Sequence, residues 1–216
     1  MNCDAIAPYY YFLEWVSFGS ALERARFAFL PEIASSRRAL LCGDGDGRFL
    51  AQLLRSNAEV QVDFVDLSTK MVKIAEQRIL TMGKSFRRRV RFHIANVADF
   101  IFPESAEYDL IVTHFFLDCF SEDELKGVVG EVVRRAAPGA RWVVSEFREI
   151  PGPVLRLCSA AVIRSLYAAF RLSTGLRITR LPDYCVALSN AGFRPQQEKH
   201  FAGGLLHASL WMGRGR

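Results

Sequence analysis

The sequence has no CxxC pair. Its five cysteines, Cys3, Cys42, Cys119, Cys158 and Cys185, are scattered along the chain. That spacing argues against a zinc site or a disulfide framework, so no metal is expected, and a reducing, cytoplasmic setting is the simplest expectation. Low-complexity tracts and internal repeats are also lacking, which excludes solenoids and fibrous arrays. The first residues, MNCDAIAPYYYF, contain no basic region followed by an apolar run and do not read as a signal peptide. The longest apolar stretch, 152–176, carries Arg156, Arg164 and Arg171, which argues against a membrane-spanning helix. A net charge of +5 is concentrated in KSFRRRVRF (84–92), but too few aromatics flank it for a base-stacking platform and no nucleic-acid reader motif accompanies it. It reads as a solvated helix-to-strand connection, and nucleic acid is not the expected partner.

What is present is an ordinary globular composition: 216 residues, 50% hydrophobic and 24% charged, enough for one sizeable domain. Residues 9–35 read as helical, with Leu22, Ala25, Phe29 and Ile33 at helical spacing and Pro31 as a break; residues 1–36 are expected to form a helical cap. Short apolar or alternating runs at 39–42, 60–66, 90–95, 108–115 and 140–147 predict strands. Helices are expected over 49–56, after Ser68 as a cap, and over 121–137. The last has a capping box (Ser121, Glu124), acids in its first turn, and Pro138-Gly139 as its end. Segments 194–202 and 205–212 predict a terminal hairpin about Gly203-Gly204. The alternation is that of an α/β, doubly wound, Rossmann-like seven-stranded sheet, mostly parallel with an antiparallel strand from the C-terminal hairpin.

The stretch LLCGDGDGRF (40–49) leaves the first strand at the place where such sheets bind ligands. Gly43, Gly45 and Gly47 allow a sharp turn and close approach of a ligand. A P-loop is excluded because no GK[ST] follows, and the dinucleotide pattern GxGxxG fails because Arg48 stands at its third glycine. Asp44 and Asp46 would repel a pyrophosphate but favour an amino group or a sulfonium. Asp66 ends the second strand, 19 residues after Gly47, where a carboxylate accepts ribose hydroxyls. For Asp46, capping the following helix and contacting a cofactor remain two open readings.

Together these residues resemble the class I S-adenosylmethionine-dependent methyltransferases over roughly residues 37–147. The matching elements are LLCGDGDGRF, FVDLSTKMVKIAEQR, IANVADF, YDLIVTHFFLDCF and PGARWVVSEF. The resemblance implies S-adenosylmethionine as cofactor, with S-adenosylhomocysteine as product. It places Gly43, Asp44, Gly45 and Gly47 around the methionine part, Asp66 on the ribose, Leu67 and Met71 along the adenine, Asn96 and Val97 at its edge, and His114 near the methionine end. Leu41 and Asn96 depart from the family's usual acids, and Asp44 is expected to take over part of the role missing at Leu41. Met71 reads as helix core ahead of an adenine contact and His93 as structural, while His200 and His207 read as surface residues.

Methyl transfer is an SN2 displacement that mainly needs alignment and exclusion of water, with a base only for hydroxyl or activated-carbon acceptors. His114, Asp118 and Tyr11 are the candidate catalytic groups; Tyr10, Phe115 and Phe116 are candidates for holding the acceptor. Tyr9 precedes them in the same segment. A helical insert over 152–193 is expected to build the acceptor site. Within it, Arg156, Arg164 and Arg171 fall in an arc of about 80° at helical pitch, and the remaining surface is apolar. A lid, a homodimer face and a membrane-surface contact through 152–172 stay open for this helix; the last would make the protein peripheral to the inner membrane surface. The subgroup resemblance is to the small-molecule branch, including quinone-biosynthesis methyltransferases, and implies a small, lipophilic or aromatic acceptor. The alternatives are an RNA or protein methyltransferase, a non-enzymatic cofactor-binding regulatory or assembly protein, and, more distantly, an NAD-dependent oxidoreductase.

Overall fold

A single sheet organises the chain. The computed structural model describes residues 18–103, 107–174 and 181–215. The parallel strands are β1 (Arg38–Cys42), β2 (Gln61–Asp66), β3 (Val90–Ile94), β4 (Tyr108–His114) and β5 (Ala136–Phe147), followed by β6 (Arg194–Phe201) and β7 (Leu206–Met212). Their order is β3-β2-β1-β4-β5-β7-β6. β7 runs antiparallel to both β5 and β6, and the other six strands point one way. The doubly wound, mostly parallel sheet is the one the sequence predicts. The strand order reverses between β1 and β4, which opens a crevice at their carboxyl ends.

Strands buried on both faces need apolar residues at consecutive positions, and β1 shows the result. Leu41 packs with Phe49, Phe64, Val72 and Ile79 on one face. Its neighbours Leu40 and Cys42 pack with Ile111, Leu125, Val128 and Trp142 on the other. The helices α1 (Ala21–Arg26), α2 (Arg48–Ser56), α3 (Thr69–Met82), α4 (Lys84–Arg87), α5 (Glu122–Val133), α6 (Pro153–Thr174) and α7 (Tyr184–Asn190) connect the strands. α2 and α3 cover the first face, and α5 and α7 the second. β6, at the edge, is mostly exposed and carries Pro195 and charged residues, a composition that discourages further strand pairing.

Local signals behave as expected at two helix starts. The Ser68 side chain accepts from the Met71 N–H, and Ser121 with Glu124 forms a full capping box. Two boundaries differ. The 121–137 helix stops at Val133, and Pro138-Gly139 lies inside β5 at a register shift rather than at the helix end. The cause is strand pairing: the Tyr108 N–H bonds the Arg135 carbonyl at 2.8 Å and draws the chain into the sheet early. In the 9–35 segment, the described part ends its helix at Arg26, and Pro31 starts a short 3-10 turn over Pro31–Ile33.

The basic cluster is largely consumed internally. Arg87 pairs with Glu76 at 2.6 Å, Arg91 with Asp63 at 2.8 Å, and Arg89 donates to the carbonyls of Leu54 and Asn57 at the end of α2. Helix α6 buries a narrow stripe, Ala160, Ile163 and Tyr167, and leaves Val154, Leu155, Leu157 and Val162 exposed. Arg156 pairs with Glu149 at 2.9 Å, and the Arg171 side chain lies outside the described residues. No helix among the described residues is long and apolar enough to cross a membrane.

Candidate functional site

The loop between β1 and α2 uses all three of its glycines in the left-handed region, with φ of 67°, 64° and 74° at Gly43, Gly45 and Gly47. Two of them also have no room for a side chain. A Cβ on Gly43 would stand 2.3 Å from the Phe116 ring, and one on Gly47 would stand 2.7 Å from the Ala75 Cβ of α3. The loop is tied to the end of β2: Gly45 N–H donates to Asp66 Oδ2 at 3.2 Å and Ser68 N–H to Oδ1 at 2.8 Å. Asp66 is therefore oriented by backbone donors from the glycine loop and from the entrance to α3. A carboxylate has about four acceptor positions, so an anion held in this way still presents lone pairs to ligand hydroxyls.

The two loop aspartates part company. Asp44 is buried; its Oδ2 accepts from the Leu50 N–H at 3.1 Å, and its Oδ1 has no partner among the described residues. Burial is the main cause pushing its pKa up to about 7. Asp46 turns away from the crevice. Its carboxylate pairs with Arg48 and Arg78, each at 3.0 Å, and its carbonyl accepts from the Arg78 Nε. The capping reading of Asp46 does not match this placement, because Gly47 is the residue that caps α2. The acid instead braces α2 against α3.

β4 delivers the opposite wall. His114 is buried, with its ring edge-on to Phe49 at 4.7 Å, and neither nitrogen has a hydrogen-bond partner among the described residues. Burial, reinforced by the Arg26 charge, holds it well below the usual imidazole pKa and keeps it neutral. Phe115 follows with φ of 53°, a strained value for an aromatic residue and of the kind that gathers at functional sites. The Phe116 ring lies on Gly43 and meets Phe120 at 5.0 Å. Asp118 is buried; its Oδ2 accepts from the Tyr167 hydroxyl of α6 at 2.5 Å.

Three site residues escaped the sequence reading. Glu146, fully buried near the end of β5, accepts the Phe116 and Leu117 N–H groups on Oε1, at 3.1 and 2.8 Å. Burial and the neighbouring Asp118 charge raise its pKa well above the ordinary range, and burial likewise raises that of Asp118. A charge on either acid therefore disfavours a charge on the other. Arg26 of α1 is buried, stacks over the Phe115 ring at 5.2 Å, and acts electrostatically on both Asp44 and His114. Tyr167 is the third, as the anchor of α6. Of these, only Glu146 leaves a sequence signal, as a lone acid in the apolar strand VVSEF.

The adenine-side candidates are more spread out. Leu67 is 44% exposed beside Asp66, whereas the Met71 side chain is core. Val97 is buried in the second-face core. The Asn96 carbonyl oxygen accepts from the Ala98 N–H and its amide donates to Asp99, so it caps the turn after β3. His93 is structural as expected, bonded to Asp63 at 2.8 Å. His207 is not a surface residue: it is 1% exposed. Tyr9, Tyr10 and Tyr11 lie outside the described residues.

Comparison with known proteins adds three findings. A family model described as Methyltransferase domain matches residues 39–139. Polyamine aminopropyltransferase 2 of Bacillus anthracis is 30% identical over 90 residues, which are 40% of this chain and 25% of that protein. The chain thus spans about a quarter of the length of the curated relatives it matches. Among solved structures, N-methyltransferase NodS from Bradyrhizobium japonicum WM9, in complex with S-adenosyl-L-homocysteine, superposes with a TM-score of 0.64 at 15% identity, covering 89% of this chain and 87% of that one. Human N-acetylserotonin methyltransferase in complex with SAM gives 0.64 at 19% identity, covering 95% and 55%. TnmH gives 0.67 at 17% identity, covering 94% and 57%.

Proposed function

We propose, from the match of residues 39–139 to a methyltransferase-domain model and the Rossmann-like fold shared with solved methyltransferases, that the protein transfers a methyl group from S-adenosylmethionine to a small, lipophilic or aromatic acceptor. The observation that carries this reading is the Asp66 carboxylate, fixed by the Gly45 and Ser68 N–H groups at the carboxyl end of β2, one strand from the reversal of strand order. The residues fit such a cofactor. Asp66 would receive the ribose hydroxyls, the tight glycine turn lets the backbone approach the methionine portion, and the unpartnered Asp44 Oδ1 would meet its cationic end. When bound, the cofactor supplies an electrophilic methyl on a sulfonium. The chain's own work is alignment and exclusion of water.

Phe115, Phe116 and the apolar insert helix give the acceptor side its lipophilic character, in keeping with the small acceptor in the name of N-acetylserotonin methyltransferase. His114, neutral and unpartnered among the described residues, has ring nitrogens able to accept a hydrogen bond from a hydroxyl acceptor, although burial and the Arg26 charge make it a weak base. Asp118 is committed to Tyr167 and Glu146 and acts by positioning α6.

A second reading has one observation behind it. The polyamine aminopropyltransferase match suggests a decarboxylated donor and transfer of an aminopropyl group. The buried Arg26 guanidinium beside Asp44 favours a donor that keeps its carboxylate. Calorimetric titration with S-adenosylmethionine, its decarboxylated form, S-adenosylhomocysteine and NAD separates the cases. We expect the intact cofactor and S-adenosylhomocysteine to bind, with at least a tenfold loss in Asp66→Ala, since each charge-assisted hydrogen bond contributes about 1.5–3 kcal/mol. Preference for the decarboxylated donor would transfer the assignment to aminopropyl transfer, and binding of NAD alone would end it.

A further inference from the structure

The terminal hairpin carries a group of side chains that the proposed reaction does not use. His200 of β6 and His207 of β7 are cross-strand partners, and Glu198 lies two residues before His200 on the same face. One donor atom from each of the three comes within 4.8 Å of the other two. His207 Nε2 and Glu198 Oε2 lie 3.3 Å apart. A tetrahedral ion with bonds of about 2.0–2.1 Å needs its ligand atoms roughly 3.4 Å apart. Glu198 and His200 are exposed side chains, free to rotate the remaining distance.

His207 is the member that cannot move, and its surroundings suit a ligand. It is 1% exposed, and its Nδ1 is engaged by the buried Tyr184 hydroxyl of α7 at 2.6 Å. This fixes the ring plane with Nε2 facing Glu198, while the His200 ring stacks on it at 5.1 Å. That nitrogen is buried and makes no hydrogen bond of proper geometry among the described residues, despite its closeness to the carboxylate. A histidine with one nitrogen held by a buried polar group and the other directed at two further donors is the arrangement found at metal centres. Two imidazoles and one carboxylate match the preferences of zinc, and three protein ligands leave a fourth position for water.

We propose that Glu198, His200 and His207 bind one zinc ion, clamping the exposed edge strand β6 to the buried β7 and, through Tyr184, to α7. The full chain, freed of any affinity tag and of metal, should be titrated with zinc by calorimetry and with cobalt(II) by absorbance. The expected results are one equivalent bound, a tetrahedral cobalt spectrum, and a higher melting temperature with zinc. His200→Ala and Glu198→Gln, both exposed and outside the cofactor crevice, should each weaken binding at least tenfold and abolish the thermal shift. Tyr184→Phe should weaken it by about tenfold. Absence of binding at millimolar zinc, or binding unchanged in His200→Ala, would overturn the site and leave a His207–Glu198 contact with a stacked His200.

Discussion

Asp63 within β2 and Asp44 in the loop after β1 are both buried aspartates, yet their surroundings differ. Asp63 is met by His93, Arg91 and Tyr108 at 2.8, 2.8 and 3.0 Å. Burial pushes its pKa up, but those hydrogen bonds outweigh burial and leave it below the ordinary value. Asp44 has one backbone donor, an unpartnered oxygen and a pKa raised to about 7. The contrast extends to whole regions. Toward the amino end of the sheet, the strand charges are matched. At the carboxyl end, Asp44 Oδ1 and both His114 nitrogens lack partners among the described residues, and Phe115 is strained. Buried polar atoms are rarely left this way without a reason, and perturbed acids in a crevice are what ligand chemistry uses. The difference separates acids that hold the fold from acids poised for a ligand.

The strongest way to break this comparison is Asp44→Asn. The folded pKa of about 7 exceeds the ordinary 3.8. As pH rises between these values, the unfolded chain gives up a proton that the folded chain retains, so this group's contribution falls with rising pH. Asparagine removes that loss. The variant should match the wild type near pH 4 and be more stable above pH 7, by up to about 4 kcal/mol at 1.36 kcal/mol per pH unit. Chemical denaturation at several pH values measures it, and no pH-dependent difference would remove Asp44 from the poised class. Asp63→Ala tests the other side. It strands His93, Arg91 and Tyr108 and should cost about 3 kcal/mol, at the low end for buried pairs because Arg91 is half exposed. A reduced urea midpoint at unchanged slope would report it. The smallest effect is expected for Gly43→Ala, about 2 kcal/mol from left-handed strain and the clash with Phe116. Its sharper consequence is loss of cofactor binding, measurable by calorimetry on the protein that still folds.

Much of this was legible in the sequence wherever the signal is local. The glycine loop, Asp66, the Ser68 and Ser121 caps and the strand alternation all act within a few residues of themselves. The readings that changed depend on distant partners. Asp46 faces Arg78 across 32 positions, and no local pattern distinguishes that brace from a helix cap. Pro138-Gly139 looked like a helix terminator, but strand pairing by Arg135 decided the boundary first. The links from Glu146 to Leu117, from Tyr167 to Asp118 and from Tyr184 to His207 exist only because the sheet order brings β5, α6, α7 and β7 to the same end. An isolated acid in an apolar run, such as Glu146, marks such a place without naming the partner.

The position of β7 has a consequence for how the molecule is assembled over time. It follows β6 in the chain but lies between β5 and β6, pairing Arg141 with Met212 and Phe147 with Leu206. Until residues 206–212 have been synthesised and have docked, β5 is an open edge with a buried-type apolar sequence, and β6 has nothing on which to settle. Such long-range pairings form slowly, and uncovered apolar edges recruit other chains. The interval between completion of β5 and arrival of β7 on the ribosome is therefore the period when this protein is most exposed to misassembly, and the one in which a chaperone would have most to do.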